Sequence, residues 1–138
     1  MVNRRLLDVL TSLADDLVER VDADACAISR VIGDVLIMIA ETVPPNRTLL
    51  HGQGYLVPDY PQTAEVLATG TPRALTLDDP DVDEAEAEVL REQGFASLAM
   101  LPLLVNGERW GLVEVYRIEP RAFTTAEVDA AVELSRLL

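Results

Sequence analysis

Apolar and polar positions follow a helical period at the start of the chain. Leucines and other apolar residues recur every three or four positions over residues 6–21, with charged residues between them. This spacing predicts an amphipathic helix of several turns, because residues three and four apart share one face of a helix. The apolar stripe is wide enough to contact both a core and a second chain.

The period then changes to that of strands. Residues 25–31 and 35–41 are apolar at almost every position, which predicts two strands of a sheet covered on both faces. Gly33 and Asp34 lie between them and favour a tight hairpin, since glycine tolerates the positive φ that a type II′ turn requires. Residues 43–59 contain several prolines and glycines and predict an irregular loop.

The middle of the chain predicts two short helices on either side of a strand. The first helix begins near Pro61 and ends just before Gly70, because proline fits a first turn and glycine follows the end of a helix. Residues 73–77 predict the strand. The spacing of Asp83 and Glu86 predicts a capping box, which opens a second helix that stops at Gly94.

A hairpin and a helix complete the pattern. Residues 97–105 and 108–117 predict strands, and the Asn-Gly pair at 106–107 between them is a strong hairpin signal. Thr124 and Glu127 predict a capping box at the start of the last helix. Its apolar stripe runs to the last residue, so we expect residues 1–138 to be a single domain and a fragment of a longer protein.

These elements, in this order, resemble the GAF family, and the resemblance covers nearly the whole chain. It implies an α+β, GAF-like (profilin-like) fold with a central antiparallel sheet of five or six strands. The terminal helices would lie on one face, and the middle helices and loops would form a pocket on the other. The resemblance is carried by GFASLAMLPL at 94–103, the hairpin at 106–107, WGLVEV at 110–115 and PRAFTTAEV at 120–128.

The same resemblance implies a regulatory role in bacterial-type signalling. A sensor domain of this kind binds a small molecule, mediates dimerisation, or does both. It thereby controls a linked output domain such as a histidine kinase, a cyclic-dinucleotide enzyme, a phosphatase or a transcription regulator. A ligand-free dimerisation module is the alternative, and an enzyme is the third reading.

The composition of the chain limits the kinds of molecule that it is expected to bind. The formal net charge of −13 leaves no basic surface for a phosphate backbone or an acidic membrane, so we expect neither nucleic-acid binding nor direct membrane contact. No apolar run approaches the roughly 18 residues of a membrane span. The single cysteine cannot form an internal disulfide, which fits a cytoplasmic location.

Catalytic chemistry has little support in the sequence. Nucleophilic catalysis needs a nucleophile, a base and an orienting group. His51 is the one histidine of the chain, and no serine lies in a G-x-S-x-G motif. We therefore predict that the protein is not an enzyme. His51 itself is either a ligand contact or a loop residue without a special role.

Cofactor sites are also weakly supported. Cys26 lies in a predicted strand and is typical of a small buried core residue. Bilin-binding members of the family attach their pigment through a cysteine, commonly beside a histidine, and Cys26 has no such neighbour. We therefore expect no bilin, no haem and no other identified cofactor. No metal site is predicted, because Asp79, Asp81 and Asp83 lack the glycine and the final glutamate of a calcium loop.

Two sets of candidate residues follow. A small-molecule pocket needs apolar walls and a few convergent polar groups, and the first set lies on elements that the resemblance places around the pocket. The second set lies on the apolar stripes of the terminal helices, through which we expect a homodimer. The ligand-binding set is Ser29, His51, Tyr55, Tyr60, Thr63, Phe95 and Ser97, and the dimer set is Leu6, Leu10, Leu13, Leu17, Val128 and Val132.

Overall fold

The computed structural model describes residues 4–45 and 54–136, which form four α-helices and six strands. A single 3₁₀ turn, Val57–Asp59, precedes the second helix. The helices are α1 (Arg4–Arg20), α2 (Pro61–Thr69), α3 (Glu84–Gln93) and α4 (Thr125–Ser135). The strands are β1 (Ala25–Ile32), β2 (Val35–Thr42), β3 (Gly54–Leu56), β4 (Arg73–Thr76), β5 (Ser97–Val105) and β6 (Glu108–Arg117).

The strands form one antiparallel sheet in the order β3-β2-β1-β6-β5-β4. This confirms the predicted α+β fold and its number of strands. The strand β3 differs from the sequence prediction, which made this segment an irregular loop. Gly54 pairs with Ile37 and Leu56 pairs with Val35, so the hydrogen bonds that define β3 come from β2 and leave no local pattern.

The hairpin signals and the capping box of α4 were predicted correctly, whereas Asp83 and Glu86 form only half of the capping box predicted for α3. Gly33 has a φ of 58°, while Asn106 and Gly107 have φ values of 53° and 79°. Two consecutive positive φ angles are those of a type I′ turn, which matches the right-handed twist of the strands it joins. Thr124 and Glu127 form the complete capping box at the start of α4.

Each face of the sheet carries its own apolar core. One core packs α1 and α4 against the sheet, and the other packs α2 and α3 against the opposite face. Alternation along β6 shows the division, because Val113 and Val115 belong to the first core while Leu112 and Tyr116 belong to the second. The terminal helices therefore share one face, as predicted.

A buried arginine ties the end of α1 to the start of α4. The Arg117 guanidinium, with a side chain only 1% exposed, donates to the carbonyl oxygens of Val21 at 2.7 Å and Asp22 at 3.0 Å. It also donates to the carbonyl oxygen of Ala122 at 3.1 Å and to the Glu127 carboxylate at 2.5 Å. We call this arrangement the Arg117 clamp.

Within residues 4–45 and 54–136, no helix combines the length and the apolar composition that a membrane span needs.

Candidate functional site

A cavity of about 40 Å³ lies between the sheet and the helices α2 and α3. We call it the α2–α3 pocket. Leu36 and Met38 of β2 and Val89 of α3 provide apolar walls. The remaining walls carry hydroxyl, amide and carboxyl groups, so the cavity has the mixed lining of a small-molecule site.

The carboxylate of Glu86 reaches the pocket because another residue takes its capping role. Asp83 caps α3 by accepting from the Glu86 N–H at 2.7 Å. A capping box would return a bond from the Glu86 side chain to the Asp83 N–H. Here the Gln62 side-chain oxygen accepts from that N–H at 2.9 Å. The Glu86 carboxylate is therefore released from the helix end and instead accepts a hydrogen bond from the Thr63 hydroxyl.

Gln62 makes two further bonds to the start of α3. Its side-chain amide donates to the carbonyl oxygen of Asp81 at 3.0 Å, and its backbone N–H donates to the Asp83 carboxylate at 3.1 Å. Gln62 is only 6% exposed. These bonds fix the beginnings of α2 and α3 relative to each other, and both helices cover the pocket.

A second carboxyl group, that of Glu114, enters from the sheet. It lies on β6 between Leu112 and Tyr116, on the face that carries the pocket. Burial and, to a smaller extent, the nearby charge of Glu86 raise its pKa to about 8, although a hydrogen bond from the Tyr116 hydroxyl partly opposes the rise. Glu114 is therefore largely protonated at neutral pH when the pocket holds no cation.

The pKa of Glu86 is raised as well. Burial is the main cause, the Thr63 hydrogen bond opposes it, and the negative charge of Asp83 adds to it. Among the described residues, the pocket walls include neither lysine nor arginine. The ion pairs of the described residues all lie outside the pocket. The two acids thus face each other without a counter-charge among the described side chains.

Three tyrosines complete the polar lining. The rings of Tyr55 and Tyr60 meet edge to face, with centroids 5.9 Å apart. The Tyr55 hydroxyl is buried and has no hydrogen-bond partner in the structure as described. The Tyr116 ring stacks on Phe95 with centroids 5.1 Å apart, which holds it in place from behind.

The residues predicted to bind a ligand fall into three groups according to their position in the structure. Phe95 supports the Tyr116 ring and does not line the cavity, and the Ser97 hydroxyl donates to the carbonyl oxygen of Glu119 at 2.9 Å, away from the pocket. His51 lies outside the described residues. The nominated residues that line the cavity are Ser29, Tyr55, Tyr60 and Thr63.

The sequence interpretation missed both acids and one aromatic residue. The spacing of Asp83 and Glu86 predicts a capping box, and this role alone accounts for the glutamate at position 86 in the sequence. Glu114 and Tyr116 lie in a strand among the apolar residues Leu112, Val113 and Val115. A carboxylate inside such a strand is costly unless it has a role, and that cost was a usable signal.

The residues nominated for a dimer interface serve mainly inside the domain. Leu10, Leu13 and Leu17 are 0%, 6% and 0% exposed and pack α1 against its own sheet. Their side chains leave no surface for a second chain. Leu6, Val128 and Val132 are partly exposed at the edge of the same core, so a dimer contact through them stays a prediction. The apolar side chains of α1 that are most exposed are Leu7 and Val9.

Cys26 lies on the face away from the pocket. It is fully buried in the core beneath α1 and α4, while the pocket belongs to the opposite core. Burial raises the pKa of its thiol, and the charges of Glu114 and Asp15 raise it further. A thiol held neutral and buried is a weak nucleophile.

The fold and its pocket define a class: an α+β domain with paired terminal helices on one sheet face and a small-molecule cavity on the other. The sequence profile of the GAF domain matches residues 5–138. The chain therefore belongs to the GAF domain family, whose members are sensor domains and generally not enzymes. No curated protein matches the sequence.

Solved structures share this fold over nearly the whole chain. The blue-light-absorbing form of the PixJ GAF domain from Thermosynechococcus elongatus has a TM-score of 0.78 and 20% identity, covering 97% of this chain and 87% of that one. The chromophore-binding domain of Stigmatella aurantiaca phytochrome P1 has a TM-score of 0.78 and 19% identity, covering 98% and 53%. The phycocyanobilin-bound GAF domain of a cyanobacterial phytochrome has a TM-score of 0.77 and 22% identity, covering 95% and 82%.

These structures correct one sequence-based expectation. The absence of a histidine beside Cys26 predicts that no bilin is bound. That prediction is wrong, because the similar solved structures include bilin-bound GAF domains. A histidine beside a cysteine is a signal for covalent attachment of the pigment only. The shape of a pocket depends on the whole fold, so no short sequence motif indicates it.

Proposed function

We propose that this GAF domain is a non-enzymatic sensor that binds a small molecule in the α2–α3 pocket and regulates a linked output domain. One observation carries the proposal: the cavity collects apolar walls, hydroxyl groups and the nearly buried Glu86 carboxylate at one place. A protein that needed this region only for stability would gain by filling it with apolar side chains.

The strand β6 offers a route from this pocket to the terminal helices. Glu114 and Tyr116 face the pocket, and the next residue, Arg117, faces the other way and forms the clamp on α1 and α4. A ligand can bias the output only if it binds two conformations with different affinity. We propose that such a difference is expressed as a movement of β6 that alters the Arg117 clamp.

Blocking the pocket tests the proposal. Val89→Phe places a ring in the cavity from α3, so a ligand that co-purifies with the protein should be lost. Native mass spectrometry of protein purified from cells measures that ligand directly. Arg91→Phe is the matched control, because it puts the same ring on the exposed side of the same helix, where Arg91 makes only a surface ion pair with Glu84 at 3.0 Å.

The expected result is a bound small molecule in the unmodified protein and in Arg91→Phe, and none in Val89→Phe. Protein purified without any small molecule, and with no change in melting temperature across a broad metabolite library, would contradict the sensor function. It would favour the ligand-free dimerisation module instead.

Non-covalent bilin binding is a second candidate, favoured by the bilin-bound domains among the similar solved structures. A tetrapyrrole is much larger than 40 Å³, so its binding requires the pocket to widen. Cys26 faces the other core, so we expect no thioether bond. Visible absorbance after incubation with phycocyanobilin measures binding, and loss of the pigment on denaturation distinguishes non-covalent from covalent attachment.

A further inference from the structure

The Glu86 carboxyl group is buried, and no described side chain supplies a matching positive charge. Its side chain is 4% exposed, and the Thr63 hydroxyl is its side-chain hydrogen-bond donor. Glu114 approaches the same space and receives a hydrogen bond from Tyr116. Buried acids in proteins are normally neutralised by a cation or by protonation. Neither acid has a basic partner among the side chains described.

The rest of the lining is suited to a cation. The rings of Tyr55, Tyr60 and Tyr116 border the cavity. Aromatic faces attract organic cations through their quadrupole, and desolvated sites gain about 2 kcal/mol from such contacts. The buried Tyr55 hydroxyl also lacks a hydrogen-bond partner, so its oxygen is available to accept from an N–H group.

Size and ligand number favour an organic group over a metal ion. A cavity of about 40 Å³ exceeds the space for one water molecule, roughly 10–15 Å³, and admits a group of only a few heavy atoms. Across the described residues, no three histidine, cysteine or acidic side chains are placed to hold a metal ion together. Two carboxylates and three aromatic rings suit N–H donors better than a metal coordination shell.

We propose that the α2–α3 pocket recognises a compact organic cation of the amidinium or guanidinium type, whose N–H groups donate to Glu86 and Glu114 while its face lies against the tyrosines. This inference rests on the proposed sensor function and names the ligand class of that same pocket. Carboxylates accept such planar cations with two parallel hydrogen bonds, which adds orientation to charge.

Binding of the cation requires Glu114 as a carboxylate. Below about pH 8 this group mostly carries a proton in the absence of the cation, and that proton passes to solvent when the cation binds and neutralises the carboxylate. Affinity for a permanent cation must therefore rise with pH as Glu114 ionises. Among the described residues, the other titratable groups lining this site are Glu86 from α3, Tyr55 from β3, Tyr60 before α2 and Tyr116 from β6.

Guanidinium and urea provide a direct test. Both are planar with the same number of heavy atoms, but only guanidinium is charged. Titration of the ¹⁵N-labelled protein with either compound below about 20 mM, at constant ionic strength, stays far under denaturing concentrations. We expect guanidinium to shift amide resonances around the pocket and to bind at least about tenfold more tightly than urea, since charged hydrogen bonds are the stronger ones.

The pH dependence and two variants locate the effect. From pH 7 to pH 9, guanidinium affinity should rise about tenfold, because Glu114 changes from mostly protonated to mostly ionised around a pKa of about 8. Glu86→Gln and Glu114→Gln should each weaken binding at least about fivefold at pH 9. Glu108→Gln removes one negative charge from an exposed position on the same strand and should leave the affinity unchanged.

Each result has a separate meaning. Equal binding of urea and guanidinium, or guanidinium binding that both pocket variants leave intact, overturns the cation assignment. A neutral or anionic molecule that co-purifies and is lost in Val89→Phe also overturns it, while the sensor function survives. Absence of any ligand in the purified protein, together with no response to guanidinium, overturns both.

Discussion

Glu114 shows how one residue can serve a site at a cost to the fold. It occupies a core-facing position of β6 where an apolar side chain would stabilise the domain. Gly111, three residues earlier on the same strand, is also restricted in residue type, because a Cβ there would lie 2.0 Å from the Ser29 carbonyl oxygen. The close approach of β1 and β6 beside the pocket thus depends on a missing side chain, and the chemistry of the pocket depends on a present one.

The raised pKa of Glu114 makes stability depend on pH. Between its unfolded value near 4.3 and its folded value of about 8, the native state holds a proton that the unfolded state has lost. Stability therefore falls as pH rises through this window and levels off above it. Glu114→Gln removes the titration, so the variant should be more stable than the unmodified protein at pH 9, on the order of 2 kcal/mol, and similar to it at pH 4.

Urea unfolding at a series of pH values measures this difference. Glu108→Gln serves as the control and should follow the unmodified protein throughout. A Glu114→Gln variant with the same pH dependence as the unmodified protein would show that Glu114 is ionised in the native state at neutral pH.

Among the helices, long side chains form hydrogen bonds between helix ends that share no backbone hydrogen bonds with each other. Gln62 links the starts of α2 and α3 over the pocket, and Arg117 links the end of α1 to the start of α4. Partial burial alone would raise the pKa of Glu127, but the hydrogen bonds from Arg117 and Thr124 outweigh it and lower the pKa. The capping box and the clamp therefore stabilise the same carboxylate.

Loss of the Arg117 clamp should weaken the whole domain. Arg117→Met keeps much of the apolar stem but leaves the buried carbonyl oxygen of Val21 and the part-buried one of Asp22 without their donor. We expect a loss of about 3 kcal/mol in the free energy of unfolding, measured in urea.

Arg121→Met is the matched control for the clamp. Arg121 pairs with the exposed Asp22 carboxylate at 3.0 Å, and pairs of this kind contribute about 0–1 kcal/mol. Equal losses in the two variants would mean that burial of the guanidinium does not make the clamp stronger than a surface ion pair.

At the scale of the whole molecule, α1 has two surfaces with different tasks. Leu10, Leu13 and Leu17 hold it against the sheet, while Leu7 and Val9 flank that face on opposite sides and are 38% and 41% exposed. We propose that the chain pairs with a second copy through the flank of α1 that carries Leu7, together with α4. An apolar stripe wider than the domain's own core requires is consistent with that pairing.

Two substitutions separate folding from pairing. Leu17→Glu buries a charge in the core and should unfold the domain, at a cost of at least about 4 kcal/mol. Leu7→Glu should leave circular dichroism and melting of the monomer nearly unchanged while reducing the dimer seen by light scattering. A Leu7→Glu variant with an unchanged oligomeric state would move the interface away from this side of α1.

Local signals predicted most of the fold. The Asn-Gly pair at 106–107 and the Thr124 capping box act through their own backbone, so they appear in the sequence as they do in the structure. The strand β3 was missed because its hydrogen bonds come from β2. Glu86 was assigned to its helix cap because the sequence does not show that Gln62, on another helix, takes over that bond.

Local patterns predict the helices, five of the six strands seen in the described residues, the hairpins and the two-faced apolar pattern, because these follow from interactions within a few residues. Which polar residues meet in the α2–α3 pocket, and which leucines of α1 are buried, becomes visible in the folded structure alone. Those outcomes depend on contacts between residues far apart in the chain. Such contacts have energies comparable to the local ones but leave no periodic pattern.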